Sequence, residues 1–359
     1  MKQVTEQSLR AAVHPFLARN TAAGLMFVGV DLAAAILLGI MAAVVEPLWQ
    51  RLLLSGASGI VIGSLFVLGH DAAHGGLVRS RTLNAILARI AFLPSLHNVT
   101  LWTFQHNRIH HQMPNVQGLN SWSPDDLSQY RSRSPVRKAL YRFYRSGFGT
   151  GLYYLVERWW KHKFAPIEPT DPAMRAAAWR DFAILVGWLV VWIVLVGWIS
   201  YRVGRASPIE SAGFGVVIPF LIWNQAMGLT VLLQHTDPSV RWYRTQADAQ
   251  ADCGQEARTV HVRVPRWYGL MTHDIMEHPA HHVNPAIPCY RLHAAQTRLN
   301  EVLGAHAIVV GPLKILSTIR KCKLYDYECH RWIGYDGSET ATTRSPSGSM
   351  EKPPQLAMD

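Results

Sequence analysis

Histidine is the residue type in this chain whose number and spacing point to chemistry. There are seventeen in 359 residues. Eight fall in three tight groups: His70–Asp71–Ala72–Ala73–His74, His106–Asn107–Arg108–Ile109–His110–His111 and His278–Pro279–Ala280–His281–His282. Residues four apart share one helix face, one turn apart. His70 and His74 are therefore expected to project together. Where two adjacent histidines follow the first by about a turn, both neighbour it but diverge by one residue's rotation. Such a group can serve two metal ions at once. One histidine pair on a helix is ordinary surface or core; three groups in one chain point to metal binding. His235, in Leu233–Gln234–His235–Thr236, is a ninth candidate ligand.

Imidazole suits iron, copper, zinc and nickel. Eight or nine histidines exceed one tetrahedral zinc site, so two metals are implied. No repeated Glu-x-x-His pattern appears, which excludes the soluble carboxylate di-metal bundle. Carboxylates beside such ligands can accept from the far ring nitrogen and fix the ring. Asp71, Asp274 and Glu277 are placed for that role. The four cysteines, Cys253, Cys289, Cys322 and Cys329, form no dense framework and no C-x-x-C. They read as reduced thiols, and their spacing with His330 fits no standard zinc pattern.

Apolar helices must position these groups. Four stretches, about 22–45, 52–69, 182–199 and 214–233, are long enough to cross roughly 30 Å of hydrocarbon. Each is expected to be helical, because backbone groups in lipid pair within their own segment. The first two histidine groups follow the second stretch; His235 and the third group follow the fourth. An even number of crossings separates them, so all emerge on one membrane face and can converge. The segment from Asp71 to Arg180 holds fifteen Lys and Arg, against one between Glu46 and Arg51. Basic loops tend to stay cytoplasmic, which places this face and both termini in the cytoplasm. A shorter apolar stretch, 83–96, reads as interfacial or re-entrant, and 147–160 as a helix lying in the interface.

Residues 1–20 read as a cytosolic segment without a cleavable leader. Residues 21–337 form the membrane domain, and 338–359 a disordered tail. The expected fold is an all-α integral membrane protein: four transmembrane helices under a cytosolic helical cap that holds the metals. Composition agrees. Hydrophobic residues make up 49% and charged residues 16%, against roughly 25% charged in average soluble proteins. Thirteen tryptophans suit a membrane boundary. The net charge of +11 does not signal nucleic acid in a chain with apolar spans. It suits anionic headgroups or an acidic electron donor.

At these residues the chain resembles the membrane fatty acid desaturase family, and within it the delta-12/omega-6 acyl-lipid branch. Gly69 to Gly75 resembles the family's first histidine box. Trp102 with His106 to His111 resembles the second, and His273 to His282 the third. Ile287–Pro288–Cys289–Tyr290–Arg291–Leu292 continues the likeness, which covers roughly residues 20 to 310. The resemblance implies two non-haem irons, held by His70, His74, His106, His110, His111, His235, His278, His281 and His282, with dioxygen as co-substrate. It implies a cis double bond placed in a lipid-linked acyl chain. The chain departs from the family in filling the first box with Ala72 and Ala73. It also carries Val231 where the acyl-CoA branch has an asparagine four residues before the added histidine.

Breaking an unactivated methylene C–H bond needs a metal-activated oxidant, with the protein positioning the chain. No haem or flavin motif is visible, so a separate ferredoxin-like donor is expected. A hydroxylase or ketolase acting on acyl chains or carotenoids is the rival on the same scaffold. A metal transporter is the rival of another class, but it would place its ligands near the bilayer midplane. Asp31, Asn224 and Gln225 are intramembrane polar residues without an assigned role.

Overall fold

Four helices are long and apolar enough to cross a membrane: Thr21–Val44, Leu48–Ala73, Pro172–Arg202 and Pro208–His235. They are the first to fourth spans below. A span of 24 residues rises about 36 Å. The computed structural model describes residues 5–167, 171–204, 207–252, 258–304, 307–311 and 314–343. The spans start on local signals. Asn20 caps the first by accepting from the Ala23 N–H. Asp171 caps the third, with Pro172 as its first residue. Their outer faces are apolar and bare: Met26, Val30, Leu53, Val191, Val194 and Trp198 are all exposed. A surface like that belongs in hydrocarbon rather than water.

The second span is the most enclosed and lies between the first and fourth. Its Gly59 lies against the Pro219 carbonyl and Ile222 of the fourth span. Its Gly69 takes the ring of Phe92, from the helix Arg81–Phe92. That twelve-residue helix is too short to cross, in line with a non-spanning reading of 83–96. Residues 147–160 fall into a short helix, Thr150–Tyr153, and a π-helical segment, Tyr154–Phe164. The short helix packs on the fourth span, where Gln225 donates to the Gly147 carbonyl and Thr150 hydroxyl and accepts from the Gly151 N–H. Gln225 is thus a structural staple.

A Cβ on Gly228 would stand 2.2 Å from the Thr150 carbonyl oxygen and 2.6 Å from its carbon. Backbone cannot yield as a flexible side chain does. Gly228→Ala is therefore expected to cost about 1–3 kcal/mol and to lower the thermal midpoint of the solubilised protein by several degrees. Gly29→Ala, which meets nothing within 4 Å, is the control. Equal midpoints for the two variants would contradict this close helix approach.

Outside the spans the fold is mostly short helices, but not all-α. A parallel pair joins His261–Val262 to Val309–Val310. Leu324–Asp326, Arg331–Ile333 and Glu339–Thr342 form an antiparallel sheet. Strands of two to four residues are too short for a hydrophobic alternation to declare them. The last strand also lies in the stretch expected to be disordered; residues 344–359 are outside the described residues. Trp332 ties the sheet to the end of the fourth span by donating to the Asp237 carbonyl. Cys289, Cys322 and Cys329 are free thiols, and Cys253 lies outside the described residues.

Candidate metal centre

The nine histidines meet in two groups. His70, His74, His106, His111 and His281 form one, and His110, His235, His278 and His282 the other. Within each group the donor nitrogens all lie within 4.8 Å of one another. His70 and His235 come from the final turns of the second and fourth spans, which end side by side. Both adjacent histidine pairs are split between the groups. In the helix His278–Val283, His278 and His282 share a face and His281 turns to the other group. The second box works differently. Phe104–His110 is wound as a π-helix, and the His111 N–H donates to the His106 carbonyl, 2.9 Å away. This i,i+5 closure puts the donor nitrogen of His111, rather than that of His110, in the group of His106, while the His110 ring stacks on His106 at 5.0 Å between centroids. π-Turns of this kind are frequent at functional sites.

The nitrogens fit cations. His106 Nε2 lies 3.1 Å from His70 Nε2 and 3.0 Å from His111 Nε2, and His281 Nε2 lies 3.0 Å from His111 Nε2. In the other group His278 Nε2 is 2.8 Å from His235 Nε2. One N–H on His106 cannot serve two neighbours. His70 has its Nδ1 hydrogen committed to Asp71, so its Nε2 offers only a lone pair. His74 Nε2 is buried without a hydrogen-bond partner among the described residues. Donors about 2.1 Å from a shared ion, at right angles, stand about 3.0 Å apart. A metal ion in each group would satisfy these lone pairs together. Burial holds His74, His106, His111, His278, His281 and His282 well below the ordinary histidine value. Burial also brings His110 down to about 4, despite its bond to Asn120. Neutral imidazole is the form that binds metal.

The partners behind the ligands differ from expectation in part. Asp71 is buried, with Oδ1 3.0 Å from His70 Nδ1 and Oδ2 accepting from the Cys289 N–H at 2.6 Å. Asp274 instead pairs with Arg266. Glu277 bridges His261 and His293 at 2.6 Å each. Neither acid bonds to a histidine of the two groups, because the backbone turns through positive φ at His273 and Asp274 before the third box begins. The same turn sends His273 Nε2 to Asp31, 2.7 Å away, which gives the intramembrane acid its partner. Asn120, which no box flagged, accepts from His110 Nδ1 at 2.9 Å. Asn115 donates to the His235 carbonyl. Val231, where the related branch has an asparagine, lines the cavity beside the centre. Asn224 donates back to the Phe220 carbonyl, within its own helix.

That cavity, about 1010 Å³ with its open mouth included, touches His70, His106, His110, His235 and His278. Phe66, Val67, Trp223, Met227 and Ile275 make most of its wall apolar. Trp102 stacks on His106 at 4.3 Å between ring centroids.

The sequence profile described as fatty acid desaturase matches residues 47–314, three quarters of the chain and all three boxes. The chain belongs to the fatty acid desaturase family. Among its relatives are the chloroplastic omega-6 fatty acid desaturase of Glycine max, 27% identical over 76% of this chain and 62% of the relative. The sn-1 oleoyl-lipid 12-desaturase of Synechocystis is 26% identical over 69% of this chain and 67% of the relative. The sn-1 acyl-lipid omega-3 desaturase (ferredoxin) of the same organism has the same identity and coverage. The chain spans about three fifths of the length of the plant desaturases it matches.

Proposed function

We propose that this protein is an oxygen-dependent desaturase that places a cis double bond in a membrane-lipid-linked acyl chain, using two irons. The observation that carries the reading is the pairing of the two-group histidine centre with an apolar cavity that reaches it. His70, His74, His106, His111 and His281 would hold one iron, and His110, His235, His278 and His282 the other. Iron held this way supplies the oxidising power that no side chain has. The chain's own residues do the rest. Phe66, Val67, Trp223 and Met227 exclude water and lay a saturated chain along the donors. Asp71 and Asn120 fix the ring tautomers of His70 and His110.

The overall balance names the missing reactant. The acyl chain gives up two hydrogens with their two electrons. Dioxygen takes these, two further electrons and two protons, and leaves as two waters. The further electrons need an external donor. One relative's name specifies ferredoxin, and an acidic protein of that kind suits the +11 charge of this chain. The four apolar helices support a membrane location, and the reading takes this as the inner membrane if the source is bacterial. The basic segment between the second and third spans supports a cytoplasmic side for the histidine face and both ends of the chain.

The test is lipid analysis of a desaturase-free host supplied with a ferredoxin system. Expression should yield a fatty acid methyl ester two mass units lighter than its precursor. The His110→Ala, His281→Ala double variant should yield none. A product sixteen units heavier would assign hydroxylation instead.

A further inference from the structure

The cavity wall carries two cations that the metal centre does not use. Arg158 and Lys163 both line it. They are five residues apart in the π-helical segment Tyr154–Phe164. π-Winding closes i to i+5 and turns both to one face. Lys163 is only 6% exposed. Among the described residues its ammonium makes one hydrogen bond, a donation to the Tyr154 hydroxyl at 3.3 Å. That hydroxyl is itself fixed, since it donates to His97 Nε2 at 2.9 Å while His97 Nδ1 donates to the Ser95 carbonyl. Two ammonium hydrogens are left over. Arg158 Nε is also buried without a hydrogen-bond partner among the described residues. Neither cation has an ion-pair partner there; the nearby Glu157 pairs with Lys161.

A buried cation without a counter-charge is strongly disfavoured. Lys163 is buried in the wall of this cavity and Arg158 half-buried beside it, which marks a place where an anion binds. Burial, and then Arg158, push the Lys163 ammonium well below its ordinary value, the direction expected of a buried lysine with no counter-charge. The Lys163 carbonyl accepts from the Asn98 N–H, and the Asn98 side chain donates to the Ala178 carbonyl, in the second turn of the third span. The cations therefore sit where spans meet the interface, the level at which a lipid keeps its polar head.

We propose that Lys163 and Arg158 form a subsite for the oxyanion at the head of the acyl substrate, a carboxylate or a phosphate. The proposal rests on the acyl-chain reading above. It makes the cavity directional: the charged head is held at the cations and the chain runs on past the histidines.

The test is competition on the full, iron-loaded protein in detergent. A fluorescent oleyl alcohol analogue is displaced by oleic acid, oleyl alcohol, dioleoyl phosphatidate or dioleoylglycerol. The acid-headed member of at least one pair should displace it at about tenfold lower concentration than its neutral counterpart. A preference for oleic acid alone assigns a free carboxylate, and one for phosphatidate alone a lipid phosphate. Lys163→Met with Arg158→Gln should erase the preference while the neutral ligands still displace the probe. Lys163→Arg should keep it, which separates charge from folding. Equal displacement by charged and neutral ligands in the unaltered protein, or a preference that survives the double substitution, overturns the subsite. Failure of the probe to bind at all would sink the acyl-chain reading, and the subsite with it.

Discussion

His235→Ala is expected to leave a protein that binds about one iron per chain instead of two and retains less than about one hundredth of its activity. His235 is the single member of its group from outside the three boxes, and its Nε2 lies 2.8 Å from that of His278. Removing it takes the four-donor group to three, while the five-donor group of His70, His74, His106, His111 and His281 keeps every ligand. Loss of a partner that merely orients a ligand typically costs 10–100-fold in metal affinity or activity, and a ligand itself carries at least as much. The measurement is iron per chain in purified protein after anaerobic loading with ferrous iron, beside the lipid profile. Two irons per chain in His235→Ala would remove the four-donor group from consideration as a metal site. Loss of both would mean that the groups fill cooperatively.

Asp71→Asn is expected to have the second largest effect, a 10–100-fold loss of activity, although Asp71 touches no substrate. The carboxylate serves two donors at once, His70 Nδ1 and the Cys289 backbone N–H. Asparagine has one acceptor oxygen and an NH₂ that would face a second donor. One of the two hydrogen bonds must fail, and a buried donor left unsatisfied costs about 1–3 kcal/mol. If His70 is released, its Nε2 drifts from the position 3.1 Å from His106. If Cys289 is released, the helix Cys289–Leu303 loosens behind the third box. The readouts are the rate of iron loss to a chelator and the product yield. Faster iron loss with normal expression identifies the role as positioning. Unchanged iron retention and yield would assign Asp71 to the local backbone alone.

The sequence by itself singled out the nine histidines that the fold gathers into two groups and the four apolar helices. Histidine is the one residue type here whose spacing declares chemistry, and apolar runs of twenty residues declare spans, because lipid leaves the backbone no alternative to a helix. The division of labour among the histidines needed the tertiary structure. α-Helical spacing pairs His106 with His110, whereas the π-wound segment pairs His106 with His111 and turns His110 toward His235 and His278. The π-wound segment packs its His106 ring on Trp102, and periodicity read from the sequence does not distinguish that winding from an α-helix.

The acids show the same divide. Asp71, inside a span's final turn, has its direction fixed by the helix. Asp274 and Glu277 lie in an irregular turn, and what surrounds that turn, Arg266 on one side and His261 and His293 on the other, comes from distant sequence. Asp31 and His273, 242 residues apart, and Lys163, which has no ion-pair partner among the described residues, belong to the same class. A sequence shows that a charge exists; only the folded chain decides whether anything stands opposite it.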